Sequence, residues 1–380
     1  MAYTIGIDAR KLGDFGIGTY IRNLVQWLGK IDQENRYVLF VGSASRDLAL
    51  DLPDNFRLVF ESAPVYSARE LLALSWKLFR LRLDLYHATH YVLPAVVRCK
   101  AVVTIHDIIH LLYPEFLPNR LALLYAQRMI RRSLTRGDRI IADSRNTRSD
   151  LMAYFDTDGR KIEVIYPGVD EVFRQPLAPA AVEAVLAEHE IERPYLLFVG
   201  NPKPHKNLDN VVRAFAKLVA SNGFDGDLVC VGGRDDNQFR VAHRAESLGI
   251  SDRVRLLGHV SDESLPAIYQ GATLFLYPTL YEGFGLPVVE AMASGVPVIT
   301  SSTSSLKEIA AGHAQLVDPL DVDQIGRELQ RLLGDADLYA RLVEAGRRRA
   351  EQFRWQRTAE RTLEVYESAI ASDYPPGVTS

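Results

Sequence analysis

Two carboxylates eight residues apart, Glu282 and Glu290 in EGFGLPVVE, are the residues whose types and spacing first suggest chemistry. An ionised carboxylate only accepts hydrogen bonds, which suits it to the hydroxyls of a sugar or a ribose. Between them run Gly283, Phe284, Gly285 and Leu286, whose two glycines permit a tight path that turns backbone N–H groups toward a ligand. Pro287 then opens a short helix with Val288, Ala291 and Met292 on its buried face, and proline suits a first turn because its missing N–H has no partner there. The helix N-terminus adds a fixed partial positive charge. Lys206, in VGNPKPHKN, is a compact cation on a flexible stem that reaches phosphate oxygens well. An isolated lysine is ordinarily a solvated surface residue, but this one follows the carboxyl end of an apolar strand, with Asn201, Lys203 and His205 in the same segment. His106 and Asp107 end another apolar strand, where a histidine is either a functional group or a hydrogen-bonded structural one. His87 and His90 lie near the adjacent strand end, placed to meet a second substrate. Gly16-Ile17-Gly18 lies between the first strand and the first helix; its amides either approach a phosphate or only make a tight turn. Ile21 stands where a dinucleotide fingerprint wants its third glycine.

These residues need a scaffold, and the hydrophobic pattern supplies one. Strands are expected at 3–8, 36–41, 56–60, 84–87, 101–105, 139–142 and 162–165, with helices at 17–28, 68–79, 120–136 and 148–155. A proline-rich seam, 166–194, contains one short helix at 180–188. A second series has strands at 195–199, 227–231, 253–257, 273–277 and 296–300, each followed by a helix, with terminal helices at 337–350 and 358–370. Strand alternating with helix implies a parallel, doubly wound α/β sheet covered on both faces. The expectation is two Rossmann-like domains facing across a cleft, with ligands at the carboxyl ends of the strands. Their expected extents are 1–170 and 171–356, followed by a helix and frayed tail over 357–380.

EGFGLPVVE, embedded in strand, glycine turn and proline-started helix, resembles the paired-glutamate signature of retaining glycosyltransferases of family 4, which have the GT-B fold. Five further segments follow the family's order and spacing, from GIDAR near Asp8 to FRWQ at Trp355, so the resemblance covers nearly the whole chain. It implies hexose transfer from a nucleotide diphosphate sugar to a hydroxyl by a front-face route, the departing diphosphate helping to deprotonate the acceptor. It gives Lys206 to the diphosphate, Glu290 to the ribose, Glu282 to a sugar hydroxyl, His106 to the donor sugar and Gly16 to the distal phosphate. The amides of Gly283 to Leu286 complete the donor site, and His87, His90 and Asp107 fall on the acceptor side. Many members carry an arginine where this chain has Asn201 or His205. The base is expected near Val260; Asp262 either accepts from a guanine edge or merely neighbours Ser261 as a helix N-cap. No metal or other cofactor is called for. GDP-mannose is favoured by the IGTYIRNL style of the first helix, with UDP-sugars open, in the synthesis of a surface glycan or glycolipid. The implied last helix returns to the first domain.

Composition sets the bounds. Of 380 residues 47% are apolar and 24% charged, ordinary for two globular domains. The net charge of -4 gives no case for nucleic acid. Residues 1–170 hold 23 basic against 19 acidic side chains and 171–380 hold 21 against 29, so an anionic partner is expected at the first half. Cys99 and Cys230 suggest neither a disulfide framework nor a zinc site, and Asp235-Asp236 reads as a solvated loop pair. With no leader and no span of roughly 20 apolar residues, a cytoplasmic protein is expected. The helix 120–136 carries Arg120, Arg128, Arg131, Arg132 and Arg136 opposite Leu123, Ile130 and Leu134. It either rests on an anionic bilayer, at the inner face of the plasma membrane, or presents a solvated outer face. A GT-B epimerase or phosphorylase, or a non-catalytic nucleotide-sugar binder, are the competing readings. A nicotinamide dehydrogenase is disfavoured by Ile21.

Overall fold

A computed structural model describes residues 2–42, 52–61, 68–117, 119–233 and 236–372. The chain divides into two compact units, Met1–Gly168 with Arg354–Ser380, and Val169–Phe353. The expected tail at 373–380 and Asp235 lie outside the described residues.

The first unit runs β1 (Thr4–Asp8), α1 (Phe15–Ile31), β2 (Arg36–Gly42), β3 (Phe56–Glu61), α2 (Ala68–Leu81), β4 (Leu85–Ala88), β5 (Lys100–Ile105), α3 (Ile109–Leu112), α4 (Arg120–Arg136), β6 (Arg139–Ala142), α5 (Arg145–Phe155) and β7 (Ile162–Val164). Its strands form a sheet in the order β3-β2-β1-β4-β5-β6-β7, every pair parallel. Helices cover both faces of such a sheet, so its strands read as unbroken apolar runs; Tyr37, Val38, Leu39 and Phe40 in β2 are fully buried. The order reverses between β1 and β4, where Ile7 pairs with His87, and the loops after these strands flank the switch point.

The second unit runs α6 (Pro179–Glu188), β8 (Tyr195–Val199), α7 (Leu208–Ala220), β9 (Asp227–Val231), α8 (Asp236–Ser247), β10 (Val254–Gly258), α9 (Leu265–Gly271), β11 (Leu274–Tyr277), α10 (Leu286–Ala293), β12 (Val298–Ser301), α11 (Ser304–Ala310), β13 (Gln315–Val317), α12 (Val322–Gly334) and α13 (Ala336–Ala350). Its parallel sheet has the order β10-β9-β8-β11-β12-β13. Here the switch point falls between β8 and β11, so the Lys206 segment and the Glu282 segment leave adjacent strands at the same end. The helices dock by one apolar stripe each, as in α7 with Val211, Val212, Phe215 and Leu218 buried.

The closing helix α14 (Trp355–Ala371) belongs to the first unit and packs on α1 and β5 through Trp355, Thr362, Tyr366 and Ala369. A side chain at Gly168 would meet the Trp355 backbone nitrogen at 2.2 Å, so the outgoing and returning segments approach as closely as glycine allows. Helix starts explain the main boundary differences. Ser144 caps α5 by accepting from the Thr147 N–H at 3.0 Å, which begins that helix three residues before the expected 148. Likewise α1 begins at Phe15, placing Gly16 in its exposed first turn rather than in a loop.

Candidate active site

The strongest constellation lies at the switch point of the second unit. After β8 the chain passes Gly200 and Asn201 into a short turn, Pro204–Lys206, and Asn207 then takes a left-handed conformation (φ +59°) before α7 begins. Asn207 is buried, and its amide donates to the carbonyls of Pro278 (2.8 Å) and Pro319 (2.7 Å), fixing this turn to the loop after β11. The Leu280 N–H adds a bond to the His205 carbonyl at 2.8 Å. Asn201 ties the turn to the next strand end by accepting from the Gly233 N–H at 3.1 Å, so this side chain does scaffold work.

On this platform Lys206 Nζ donates to Glu282 Oε1 (2.7 Å), Glu282 Oε2 (2.9 Å) and the Tyr277 hydroxyl (3.0 Å). Burial alone lowers a lysine, but the Glu282 carboxylate outweighs it and raises the Lys206 ammonium above its ordinary value. The Glu282 backbone is clamped on both sides: its N–H donates to Ser304 Oγ (3.1 Å), and Ser305 Oγ donates to its carbonyl (2.8 Å) and to that of Phe284 (2.9 Å). Gly285 has φ +104°, and a Cβ there would sit 2.5 Å from Leu306, so the turn into α10 needs glycine for its dihedral and for its space.

Glu290, one turn into α10, accepts from the Tyr269 hydroxyl at 2.9 Å. Burial pushes its carboxyl up to about 7; the Tyr269 bond opposes this, and the charges of Asp170 and Asp262 add to it. Val260 is buried beside this region's sheet edge, after β10. Ser261 accepts from the Ser264 N–H at 3.2 Å, so it closes the turn ahead of α9 rather than capping α9 itself, whose N-cap is Ser264. A cavity of about 510 Å³ at edge strand β10, lined by Glu188, His189, Asp252 and Arg255 among others, shares no residue with this constellation.

In the first unit, His106 Nδ1 lies 2.7 Å from Asp143 Oδ2 and Nε2 lies 2.9 Å from the Thr89 carbonyl. A carbonyl only accepts, so Nε2 carries hydrogen, and the short contact to Asp143 requires a second proton shared between Nδ1 and the carboxylate. Burial lowers the imidazole, but Asp143 prevails and His106 is held above its ordinary value. Asp107 accepts from the Ile109 N–H at 3.0 Å, which opens α3 and makes it a loop-ordering residue. His90 is partly buried against Tyr91, ring centroids 3.9 Å apart. His87 needs correcting: it is fully buried, with Nδ1 2.7 Å from the Tyr366 hydroxyl and Nε2 2.8 Å from Thr104 Oγ1, and burial drives its pKa down to about 3. A neutral core histidine with both nitrogens engaged cannot meet an acceptor; it joins α14 to the sheet. Arg132 is corrected similarly. Its guanidinium turns inward and donates to the Pro94 carbonyl (2.9 Å) and to that of Ala95, while Arg120, Arg128, Arg131 and Arg136 stay exposed.

The model for glycosyl transferases group 1 matches residues 184–349, and that for Glycosyltransferase Family 4 matches residues 16–173. O-antigen chain mannosyltransferase B of Escherichia coli is 30% identical over 296 residues, 77% of this chain and 76% of its own. The chain belongs to the family 4 glycosyltransferases. This glycosyltransferase is also similar to the D-inositol 3-phosphate glycosyltransferase of Salinispora arenicola, 35% identical over 63% of this chain and 56% of that one. Among solved structures, sucrose-phosphate synthase from Thermosynechococcus elongatus superposes with a TM-score of 0.81 at 20% identity, covering 97% of this chain and 99% of that one. An Anabaena protein solved with UDP and glucose superposes with a TM-score of 0.76 at 18% identity, covering 96% and 100%. The fold is GT-B.

The glycosyltransferase's second unit thus brings Lys206, Glu282 and the glycine turn together, with Glu290 one helical turn further on. Sequence reading missed Tyr277, Tyr269, Ser304, Ser305 and Asn207, which hold these groups. A buried tyrosine needs a partner for its hydroxyl, so the tyrosine ending strand 274–277 carried a signal. The serine pair in SSTSS carried none, because its partners are backbone groups distant in sequence, the Glu282 N–H for Ser304 and the Glu282 and Phe284 carbonyls for Ser305. Among the described residues no group of three His, Cys, Asp or Glu is placed to hold a metal ion, and no helix is long and apolar enough to cross a membrane.

Proposed function

We propose that this glycosyltransferase transfers a hexose, with mannose favoured, from a nucleotide diphosphate sugar to a hydroxyl with retention of configuration, in the synthesis of a surface glycan or glycolipid. Carrying this reading is the Lys206–Glu282 pair at the β8/β11 switch point, with Glu290 on the helix that follows the same loop. Lys206 and the amides leading into α10 take the diphosphate, where the leaving group gathers charge. Glu282 accepts from a sugar hydroxyl and Glu290 from the ribose. The catalytic contribution is positioning and electrostatics rather than attack by a side chain. The mannosyl preference is supported by the mannosyltransferase relative from Escherichia coli; a UDP donor has support from the Anabaena complex. A thermal-shift panel of GDP-, UDP-, dTDP- and ADP-sugars tests the donor: one base class should raise the melting temperature with concentration, and a flat response across the panel counts against the reading.

Peripheral contact with an anionic bilayer is a second part of the proposal. On α4, Leu121 and Leu124 are 75% and 58% exposed beside Arg120 and Arg128, while Ala126, Met129, Ile130 and Ser133 face the core. Exposed leucines among arginines fit a membrane interface better than a purely solvated face. Co-sedimentation with phosphatidylglycerol vesicles should exceed that with phosphatidylcholine vesicles and fall with salt, and Leu121→Ser/Leu124→Ser should weaken it; equal sedimentation with both vesicles would dismiss the contact.

A further inference from the structure

Lys206 has three N–H donors, and all three are taken by Glu282 and Tyr277. Lys206 and Glu282 are both nearly enclosed, with 18% and 11% of their side chains exposed. A charge so placed is costly without its counter-ion, and Glu282 is the counter-ion that sustains the ammonium. Their backbones are fixed relative to each other by the Leu280–His205 and Asn207–Pro278 bonds and by the two serines on the Glu282 peptide. Rotation of the two side chains therefore opens the pair without moving either loop.

A pyrophosphate must take from Lys206 the donors that Glu282 now holds, and the carboxylate cannot stay beside the phosphate oxygens without like-charge repulsion. We infer that Glu282 is an internal competitor of the diphosphate for Lys206, displaced when donor binds and re-engaged by the donor's sugar hydroxyls, so that the site retains intact donor over spent nucleotide. This rests on the donor site proposed above. A nucleoside diphosphate opens the pair and strands the Glu282 carboxylate with neither cation nor hydroxyl. A nucleotide sugar opens it and supplies hydroxyl donors in exchange. After transfer, the carboxylate's return to Lys206 helps expel the spent nucleotide.

Isothermal titration of the full chain with GDP, UDP, GDP-mannose and UDP-glucose tests this directly. Glu282→Gln removes the competing charge and keeps the shape. It should bind the preferred nucleoside diphosphate about tenfold more tightly than the natural protein, as expected for losing one charged hydrogen-bonded competitor. Its preference for sugar nucleotide over nucleoside diphosphate should shrink by at least as much. The gain must disappear in Glu282→Gln/Lys206→Gln, because no ammonium remains to be released. Glu282→Asp, which keeps the charge but shortens the reach, should fall between, and circular dichroism checks that each variant is folded. If Glu282→Gln or Glu282→Asp binds the nucleoside diphosphate no more tightly than the natural protein, or if the gain survives in the double variant, the inference is overturned and the donor site stands. If the natural protein binds none of the four nucleotides, the donor site falls and the inference with it.

Discussion

Glu290 is held in a state that costs the fold stability above neutrality. Its carboxyl titrates near 7 rather than at the ordinary 4.5, chiefly because it is buried. Between these values the folded chain keeps a proton that the unfolded chain has released, so its contribution to stability is full below about pH 4.5 and lost as pH rises through about 7. A shift of that size corresponds to roughly 3 kcal/mol above neutrality. Glu290→Gln keeps an acceptor for Tyr269 and should raise the melting temperature at pH 8 by several degrees while weakening donor use tenfold or more. In the natural protein the donor KM should fall as pH rises from about 6 to 8, as the carboxylate ionises and accepts more strongly; in the Gln variant it should be flat. Paired melting curves and pH profiles check both. A variant that is less stable at pH 8, or that keeps the natural pH dependence, would remove Glu290 from this role.

At the scale of elements, the site is held by the turns at the ends of β8, β11 and β12. Gly285 is the critical joint, so Gly285→Ala should destabilise the protein by about 1–3 kcal/mol and impair donor use beyond that loss, measurable by denaturation and turnover on the same preparation. Normal activity in that variant would show that the α10 entry tolerates another path. Much of this was legible in the sequence. Apolar strand runs and proline or glycine punctuation located β8, β11 and α10 closely, because burial on both faces and tight turns leave compositional marks. Three-residue β13 was too short to register, and α1 began earlier than expected because Phe15 and Gly16 look like loop residues. Lys206 and Glu282 were both singled out, yet not as partners; contact between residues 76 apart follows from strand order rather than local pattern. His87 and Arg132 were misplaced for the same reason, since only tertiary packing shows that their polar atoms turn inward to Tyr366, Thr104 and the Pro94–Ala95 carbonyls.

On the scale of the whole molecule, the chain leaves its first unit at Gly168, builds a second sheet, and returns at Arg354 to complete the first. The helix α14 contributes Trp355 against Tyr20 (ring centroids 6.0 Å apart) and the Tyr366 hydroxyl that engages His87. Ending the chain at Phe353 would uncover the face of α1 and β5 and leave His87 short of a partner. Such a truncation should lose several kcal/mol from the first unit, through lost apolar burial and an unpaired polar group. Limited proteolysis should then cut residues 2–168 faster while 169–353 resists; unchanged protection would refute the closing role of α14.

The central claim is that Lys206, Glu282 and Glu290 form a nucleotide-sugar donor site in a working transferase. Release of nucleoside diphosphate from GDP-mannose and UDP-glucose, followed side by side for the natural protein, Lys206→Gln and Glu290→Gln, tests it most directly. One donor should be turned over, with the first variant losing at least a hundredfold and the second at least tenfold, both still folded. Turnover that persists undiminished in folded Lys206→Gln would contradict the account.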